Sequence, residues 1–262
     1  MTDEENIKQH FRPDEAPLIA QVEDWLNTAA DQYRPVLTDF LNPRQVYIAQ
    51  TLTNRRDDVK MRANGGWEKA EMQRILFYPS YYEPQTADFE LQLIEIDYPT
   101  KFTELHHRQI LGTLIGSGLE RSAFGDVLNE GMRWQVVVSQ SLVDYLRQQV
   151  SQIGKIHVKL KQADLETIVT PQEDWEKMVA TVSSMRLDVL VAAGFNYSRN
   201  RAKQLVEHGD VRVNWETEMR PDYPLVAHDL LSIRHAGRIR IDEIQGNTRK
   251  NKIRVAMSVV HA

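Results

Sequence analysis

Cysteine is absent from all 262 residues. That absence excludes a disulfide framework, thiolate metal sites and cysteine nucleophiles together. Long apolar runs are missing as well, and none approaches the roughly 20 residues that a membrane helix needs. The first residues include Asp3, Glu4 and Glu5, where a secretory leader would carry a basic segment followed by an apolar one. The expectation is a cytoplasmic protein with no membrane partner. Aromatic residues are sparse at 8%, while 42% apolar and 26% charged residues match ordinary folded domains rather than disordered chains. A chain of this length is expected to divide into two or three domains, because a single core rarely organises so many residues.

The overall charge of −5 argues against a polyanionic partner only until it is resolved by region. Residues 1–70 and 71–165 each hold nine basic and twelve acidic residues, and residues 166–180 hold one and four. Residues 181–262 reverse the balance with thirteen basic, mostly arginine, against nine acidic. Arginine presents a planar fork of donors that matches phosphate oxygens in pairs, so a localised arginine excess on an acidic chain points to a confined polyanion site.

Periodicity gives an α+β, multidomain reading. Residues 1–72 read as mainly helical, with Leu18, Val22, Trp25 and Leu26 at helical spacing, then Val46, Ala49 and Leu52 after Asn42-Pro43. Asn64, Gly65 and Gly66 mark a turn. Residues 73–163 read as β-α-β-β-α-β, the plan of ferredoxin-like and RNA-recognition domains. The strands are placed at Phe89 to Ile96, Asp126 to Leu128, Trp134 to Ser139 and Lys155 to Leu160. The helices are placed at Phe102 to Ile115 and Leu142 to Val150, with glycines just beyond each. The first strand lacks the exposed aromatics on which such sheets stack bases. Residues 164–180, with Thr170-Pro171 and the acids Glu173, Asp174 and Glu176, read as a linker.

Residues 181–262 carry the functional signal. Leu187, Leu190 and Val191 form an apolar stripe on a short helix expected to end at Gly194. Ser198 caps a second helix with Ala202, Leu205 and Val206 on its inner side, ending at Gly209. Arg199 and Lys203, four residues apart, share a face, with Arg201 on the flank. Alternation in Val211-Arg212-Val213 sends the valines inward, and the same device places Arg234, Arg238 and Arg240 outward from Leu231, Ile233, Ile239 and Ile241. These arginines are expected to form one basic patch.

The series Arg186-Leu187-Asp188, Gly194, Ser198-Arg199, Ala202, Leu205-Val206, Gly209, Val211, Val213-Asn214 and Asp229 resembles the S-four RNA-binding domain, the alpha-L motif. Trp215 and His228 depart from it, standing where that pattern carries glycine. Further matches at Phe102-Thr103-Glu104-Leu105, Ile110-Leu111-Gly112, Gly125-Asp126-Val127, Val182-Ser183-Ser184, Gly237-Arg238 and Gly246-Asn247-Thr248-Arg249-Lys250 together resemble the YlmH family. That resemblance implies a bacterial RNA-binding protein encoded among cell-division genes. Its implied partners are structured RNA, namely large-subunit ribosomal RNA with tRNA as a second candidate, and a role in ribosome-associated quality control or assembly. On this pattern Arg186, Ser198, Arg199, Arg201, Lys203, Arg212 and Asn214 are the RNA-binding candidates, joined by Arg234, Arg238 and Arg240 from the alternation argument.

Rival readings fit the residues less well. Arg-Leu-Asp also surrounds the aspartate of pseudouridine synthases, but here the triplet opens a helix, where an acid meets the helix dipole favourably. Gly112, Gly116 and Gly118 do not follow a strand and open a helix, as a phosphate loop must. His106 and His107 diverge by roughly 100° on a helix and make a poor metal pair. Trp175 and Trp215 read as packed indoles before base-stacking ones. The expectation is a non-catalytic protein without cofactor or metal; an RNA-modifying enzyme and a division-linked scaffold are the rivals.

Overall fold

In the computed structural model, residues 11–171, 175–249 and 251–261 are described. Asp3, Glu4 and Glu5, the acids Glu173 and Asp174, and Lys250 lie outside them. The chain divides into two compact units, 1–171 and 172–262.

In the first unit, Ile19, Val22, Leu26 and Ala29 recur at helical spacing and are buried on α1 (Ala16–Asp31). Asn42 starts α2 (Pro43–Thr53). Its side chain accepts from the Gln45 N–H at 2.9 Å while the Gln45 side chain accepts from the Asn42 N–H, and Pro43 occupies the first turn where its missing donor does no harm. Both helices pack on an antiparallel sheet in the order β1 (Val36–Leu41), β3 (Gln73–Pro79), β2 (Val59–Asn64). The core between them contains Ile48, Leu52, Ile75 and Phe77. The expectation of a mainly helical 1–72 is therefore corrected: this region carries two of the three strands, and the central strand runs from 73 to 79, beyond the expected boundary. Thr38, Asp39, Lys60 and Arg62 interrupt the apolar pattern of β1 and β2, which hides them from a periodicity reading.

The remainder of this unit holds β4 (Leu91–Asp97), α3 (His107–Gly116), β5 (Phe124–Glu130), β6 (Arg133–Ser139), α4 (Val143–Gln149) and β9 (Lys159–Ala163). A small hairpin of β7 (Gln152–Ile153) and β8 (Ile156–His157) intervenes. The sheet order is β5-β6-β4-β9 with every pairing antiparallel, the order of split β-α-β domains. Ile94, Ile96, Val136 and Val138 face Ile110, Leu114 and Leu146 of the helices. The centre of the opposite face is covered too, since Leu93, Gln135 and Val137 are fully buried, while the ion pairs Arg133–Glu95 and Lys161–Asp97 keep its far end accessible. Gly125 makes this closure possible: a Cβ there would stand 2.9 Å from the Phe40 ring of β1 and 3.0 Å from Val137. Gly66, at φ +90°, lies against Leu165 and Val137 on the same side.

Two buried ionisable groups fasten the first sheet to the second. Asp126 accepts hydrogen bonds from Trp67 Nε1 at 3.0 Å and from the backbone N–H groups of Glu71 at 2.9 Å and Met72 at 3.1 Å. Burial pushes its pKa up, and those three donors with the Arg121 charge only partly oppose the shift. Arg74 donates to the carbonyls of Thr38 at 2.7 Å and Phe89 at 3.0 Å, and to Ser139 Oγ at 3.3 Å. Residues 164–171 are not a linker. Gln135 accepts from the Val169 N–H at 2.8 Å and donates to the Thr167 carbonyl at 3.2 Å, and Val169 is buried. Three element limits also differ from expectation. The first strand begins at Leu91 because Phe89 belongs to a 3-10 turn, α3 begins at His107 and leaves Phe102 exposed, and the last sheet strand is β9.

The second unit is a six-stranded antiparallel sheet in the order β10 (Glu176–Val182), β15 (Ile253–His261), β14 (Gly237–Asn247), β13 (Leu230–Ile233), β11 (Val211–Val213), β12 (Glu216–Thr217). Thus 176–180, also expected to be linker, is a strand. α5 (Leu187–Phe195) and α6 (Arg199–Glu207) pack against it through Leu187, Leu190, Val191, Ala202 and Val206, meeting Val211, Val213, Leu231, Ile233, Ile239 and Ile241. Gly194 does not end α5; the left-handed residue is Asn196 at φ 53°. Gly194 instead allows close approach to β14, because a Cβ there would lie 2.4 Å from Ile239 Cδ1.

The Asp126 clamp predicts a specific loss. Asp126→Ala strands three donors in a buried seam, so the first unit should lose about 3 kcal/mol in urea unfolding. An unchanged unfolding midpoint would show that the clamp contributes nothing.

Candidate nucleic-acid interface

The loop between β10 and α5 delivers Arg186 as the N-cap residue of α5, with Asp188 in the first turn. The Asp188 side chain is only 4% exposed, and two arginines hold it: Arg186 Nε donates to Oδ1 at 3.1 Å and Arg199 Nη2 to Oδ2 at 2.7 Å. Burial pushes the Asp188 pKa up, but the hydrogen bonds and charges of Arg186 and Arg199 outweigh it and hold the carboxyl below its ordinary value. One fixed negative charge therefore orients two guanidinium groups whose remaining N–H donors face solvent, the side chains being 42% and 51% exposed. Ser198 Oγ caps α6 by accepting from the Arg201 N–H at 3.2 Å, which sets the direction in which Arg199, Arg201 and Lys203 leave the helix.

Arg201 lies over the Tyr197 ring, 3.6 Å from its centroid. Lys203 pairs loosely with Glu207 at 3.5 Å, an exposed i,i+4 contact worth a few tenths of a kcal/mol at roughly 0.3–0.5. Arg234, in the β13–β14 turn, reaches Asp210 at 3.4 Å and shares a surface cavity with Arg201. These residues stand on the helical side of the sheet.

Arg212, Arg238 and Arg240 stand on the other side. Val211, Val213, Ile239 and Ile241 face the helices, so the period of two turns the intervening arginines away from them. Arg212 pairs across to Ser232, and Ser232 to Arg238, in one row. Arg238 and Arg240 lie 5.6 and 5.2 Å from the Trp175 ring, and Arg240 donates to Asp242 at 2.8 Å. The expected single patch is thus two surfaces separated by the sheet.

Asn214 has a different task. Its Nδ2 donates to buried Asp229 at 2.8 Å and its Oδ1 accepts from the Leu230 N–H at 2.9 Å, which fixes the β11–β12 hairpin. Asn214 and Trp215 sit at φ 49° and 70°, and His228 at 70°, so the two departures from glycine keep the left-handed backbone that glycine would adopt freely. Tyr197, Asp210 and His235 join the candidates only in the structure, where they line the same cavity as Arg201 and Arg234. The Tyr197–Arg201 spacing of four residues was legible, but the contact of α6 with the β13–β14 turn was not.

The central sheet offers no stacking surface of the RNA-recognition kind, because the face that would carry it holds Leu93, Gln135 and Val137 under the first sheet and Val169. Among the described residues there is no helix long and apolar enough to cross a membrane and no cluster of three or more metal-ligating His, Asp or Glu side chains.

Asp188 makes a pH prediction. Its folded pKa is depressed, so its contribution is present above the unfolded aspartate value near 3.9 and is lost as pH falls through the folded value. Asp188→Asn should destabilise the second unit at neutral pH and flatten its acid limb below about pH 4. Parallel acid limbs in wild type and variant, followed by urea unfolding at several pH values, would contradict this.

Three family models match successive parts of the chain: "YlmH, N-terminal" over residues 14–82, "Putative RNA-binding domain in YlmH" over 84–167, and "S4 domain" over 185–231. The first of these limits agrees with β3 belonging to the N-terminal sheet. The "Ribosome-associated protein quality control protein P2" of Bacillus subtilis (strain 168) is 40% identical over 250 residues, covering 95% of this chain and 97% of that protein. The solved structure of "Cell division protein ylmH from Streptococcus pneumoniae" is 34% identical, with a TM-score of 0.54 over 61% of this chain and 98% of that one. The order of domains and the identity along nearly the whole length place the chain in the YlmH family, with an S4 domain at its C-terminal end.

Proposed function

We propose that this protein is a non-catalytic RNA-binding factor of the cytoplasm that works on the large ribosomal subunit in quality control or assembly, with tRNA as a second contact. The observation that carries the reading is the Asp188-held arginine pair, Arg186 and Arg199, at the start of two helices that also present Arg201 and Lys203. Pre-oriented guanidinium groups bind phosphate oxygens with less loss of side-chain freedom than free ones. Such contacts fix register on an RNA without reading its sequence. The Bacillus relative, described as ribosome-associated, supports a ribosomal target. No cofactor enters this mechanism.

An RNA-modifying enzyme would need a reactive group, and Asp126 has the raised pKa that marks many such groups. Its oxygens, however, are engaged by Trp67, Glu71 and Met72 at the junction of the two sheets. We read it as a structural clamp.

The test is crosslinking of tagged protein to RNA in cells, sequencing of the fragments and sedimentation against ribosomal subunits. The expected result is enrichment in large-subunit ribosomal RNA and co-sedimentation with that subunit. In vitro, the Arg199→Ala/Lys203→Ala variant should bind the recovered fragment more weakly and flatten its salt dependence by about one unit of slope per lost contact. RNA recovery no higher than from this variant would overturn the RNA-binding reading and leave a division scaffold.

A further inference from the structure

The helical side of the S4 unit has a cavity of about 270 Å³ between α6 and the β13–β14 turn. Its construction is layered. The Phe195 and Tyr197 rings stack with centroids 5.7 Å apart and planes inclined by 28°, and the Arg201 guanidinium covers Tyr197 at 3.6 Å. Phe195 is itself buried and meets the His261 ring edge-on at 5.4 Å, which anchors the stack in the core. Tyr197 and Arg201 thus give the cavity a flat cationic wall that is already ordered. Leu205 and Ala236, both packed against the core, give it an apolar floor.

The rim is polar. The Arg234 backbone N–H donates to the Asp210 carbonyl at 2.9 Å, which pins the turn, and the two side chains approach only to 3.4 Å. That long contact leaves donors on Arg234 and an acceptor oxygen on Asp210 for a third party, beside the exposed His235 ring. His235 is held at φ 59°, so the turn projects it beside the cavity in a backbone conformation seldom used by residues other than glycine.

A flat cationic face, an apolar floor and a mixed donor–acceptor rim suit a planar heteroaromatic ring with a hydrogen-bonding edge. Phosphate alone would leave the floor unused, and a duplex is too wide for a space at the lower end of small-molecule sites, about 300 Å³. Bases splayed from loops and bulges stack on arginine planes and aromatic rings and are read along their edges. We infer that this cavity takes a single unpaired nucleobase, so that the S4 unit recognises RNA at a bulge or loop rather than along a continuous duplex. The inference rests on the RNA-binding reading above and names what the same module selects.

The experiment uses the full chain and two fluorescently labelled RNA hairpins of equal length, one fully paired and one with a single bulged nucleotide, titrated by anisotropy. The bulged hairpin should bind about tenfold more tightly, the scale of one stacked base. Arg201→Lys keeps the positive charge and loses the plane, so in that variant the ratio of the two affinities should fall toward one. His235→Ala should lower the ratio as well, and circular dichroism confirms that both variants remain folded. Equal affinity for the two hairpins in the wild type, or a preference undiminished in Arg201→Lys, would overturn the pocket while leaving RNA binding intact. Binding of neither hairpin would overturn the RNA-binding reading and the pocket with it.

Discussion

The central sheet carries an apolar patch on its reverse face as well as an apolar helical face, and the arrangement of the first unit follows from that constraint. Ile94, Val136 and Val138 point to the helices, but Leu93 and Val137 on the reverse side are equally dry. A face of that kind is unstable in water at roughly 25 cal/mol for each Å² of apolar surface exposed. It is covered by Phe40, by the turn at Gly65–Gly66 and by the segment around Val169, so the N-terminal and central domains form one continuous structure. Asp126 and Arg74 sit in that seam and are engaged by backbone groups together with Trp67 Nε1 and Ser139 Oγ, as buried polar side chains must be. The same closure removes the surface on which related sheets stack bases. The chain's basic excess lies instead in the second unit.

In the second unit a buried carboxylate again organises the local structure, with a different outcome. Asp126 faces inward to N–H donors and is shifted up by burial, whereas Asp188 is bracketed by two arginines and is shifted down overall. The first fastens two sheets. The second orients charge outward while satisfying its own buried oxygens. Asp229 performs a third version, taking Asn214 and the Val226 N–H at 2.9 Å to fix the strand turn.

Much of this was legible along the chain. Local helices, the order of strands in the central domain and the two-helix S4 unit follow from apolar spacing, capping residues and glycine stops, all short-range signals. Thus Asn42-Pro43, Ser198 and Gly209 mark real helix ends. The misreadings share one cause. Strands β1 and β2 mix polar and apolar residues because both are edge strands that pair with β3 alone, and β10 is recognisable only through its pairing with β15. Gly194 looked like a helix stop, but its missing side chain serves the approach of α5 to Ile239, a contact 45 positions away in the sequence.

By itself the sequence determined the absence of thiol chemistry, the confinement of the net basic excess to the last third and the family pattern that carries RNA-binding candidates. Those properties depend on composition and spacing, which need no three-dimensional context. Only the tertiary structure decided that the centre of the central sheet's reverse face is covered, that Asn214 serves as a turn brace, and that the arginines divide between the two sides of one sheet. The physical reason is that alternation along a strand tells inside from outside, while which outside surfaces become neighbours depends on pairing and packing between distant segments.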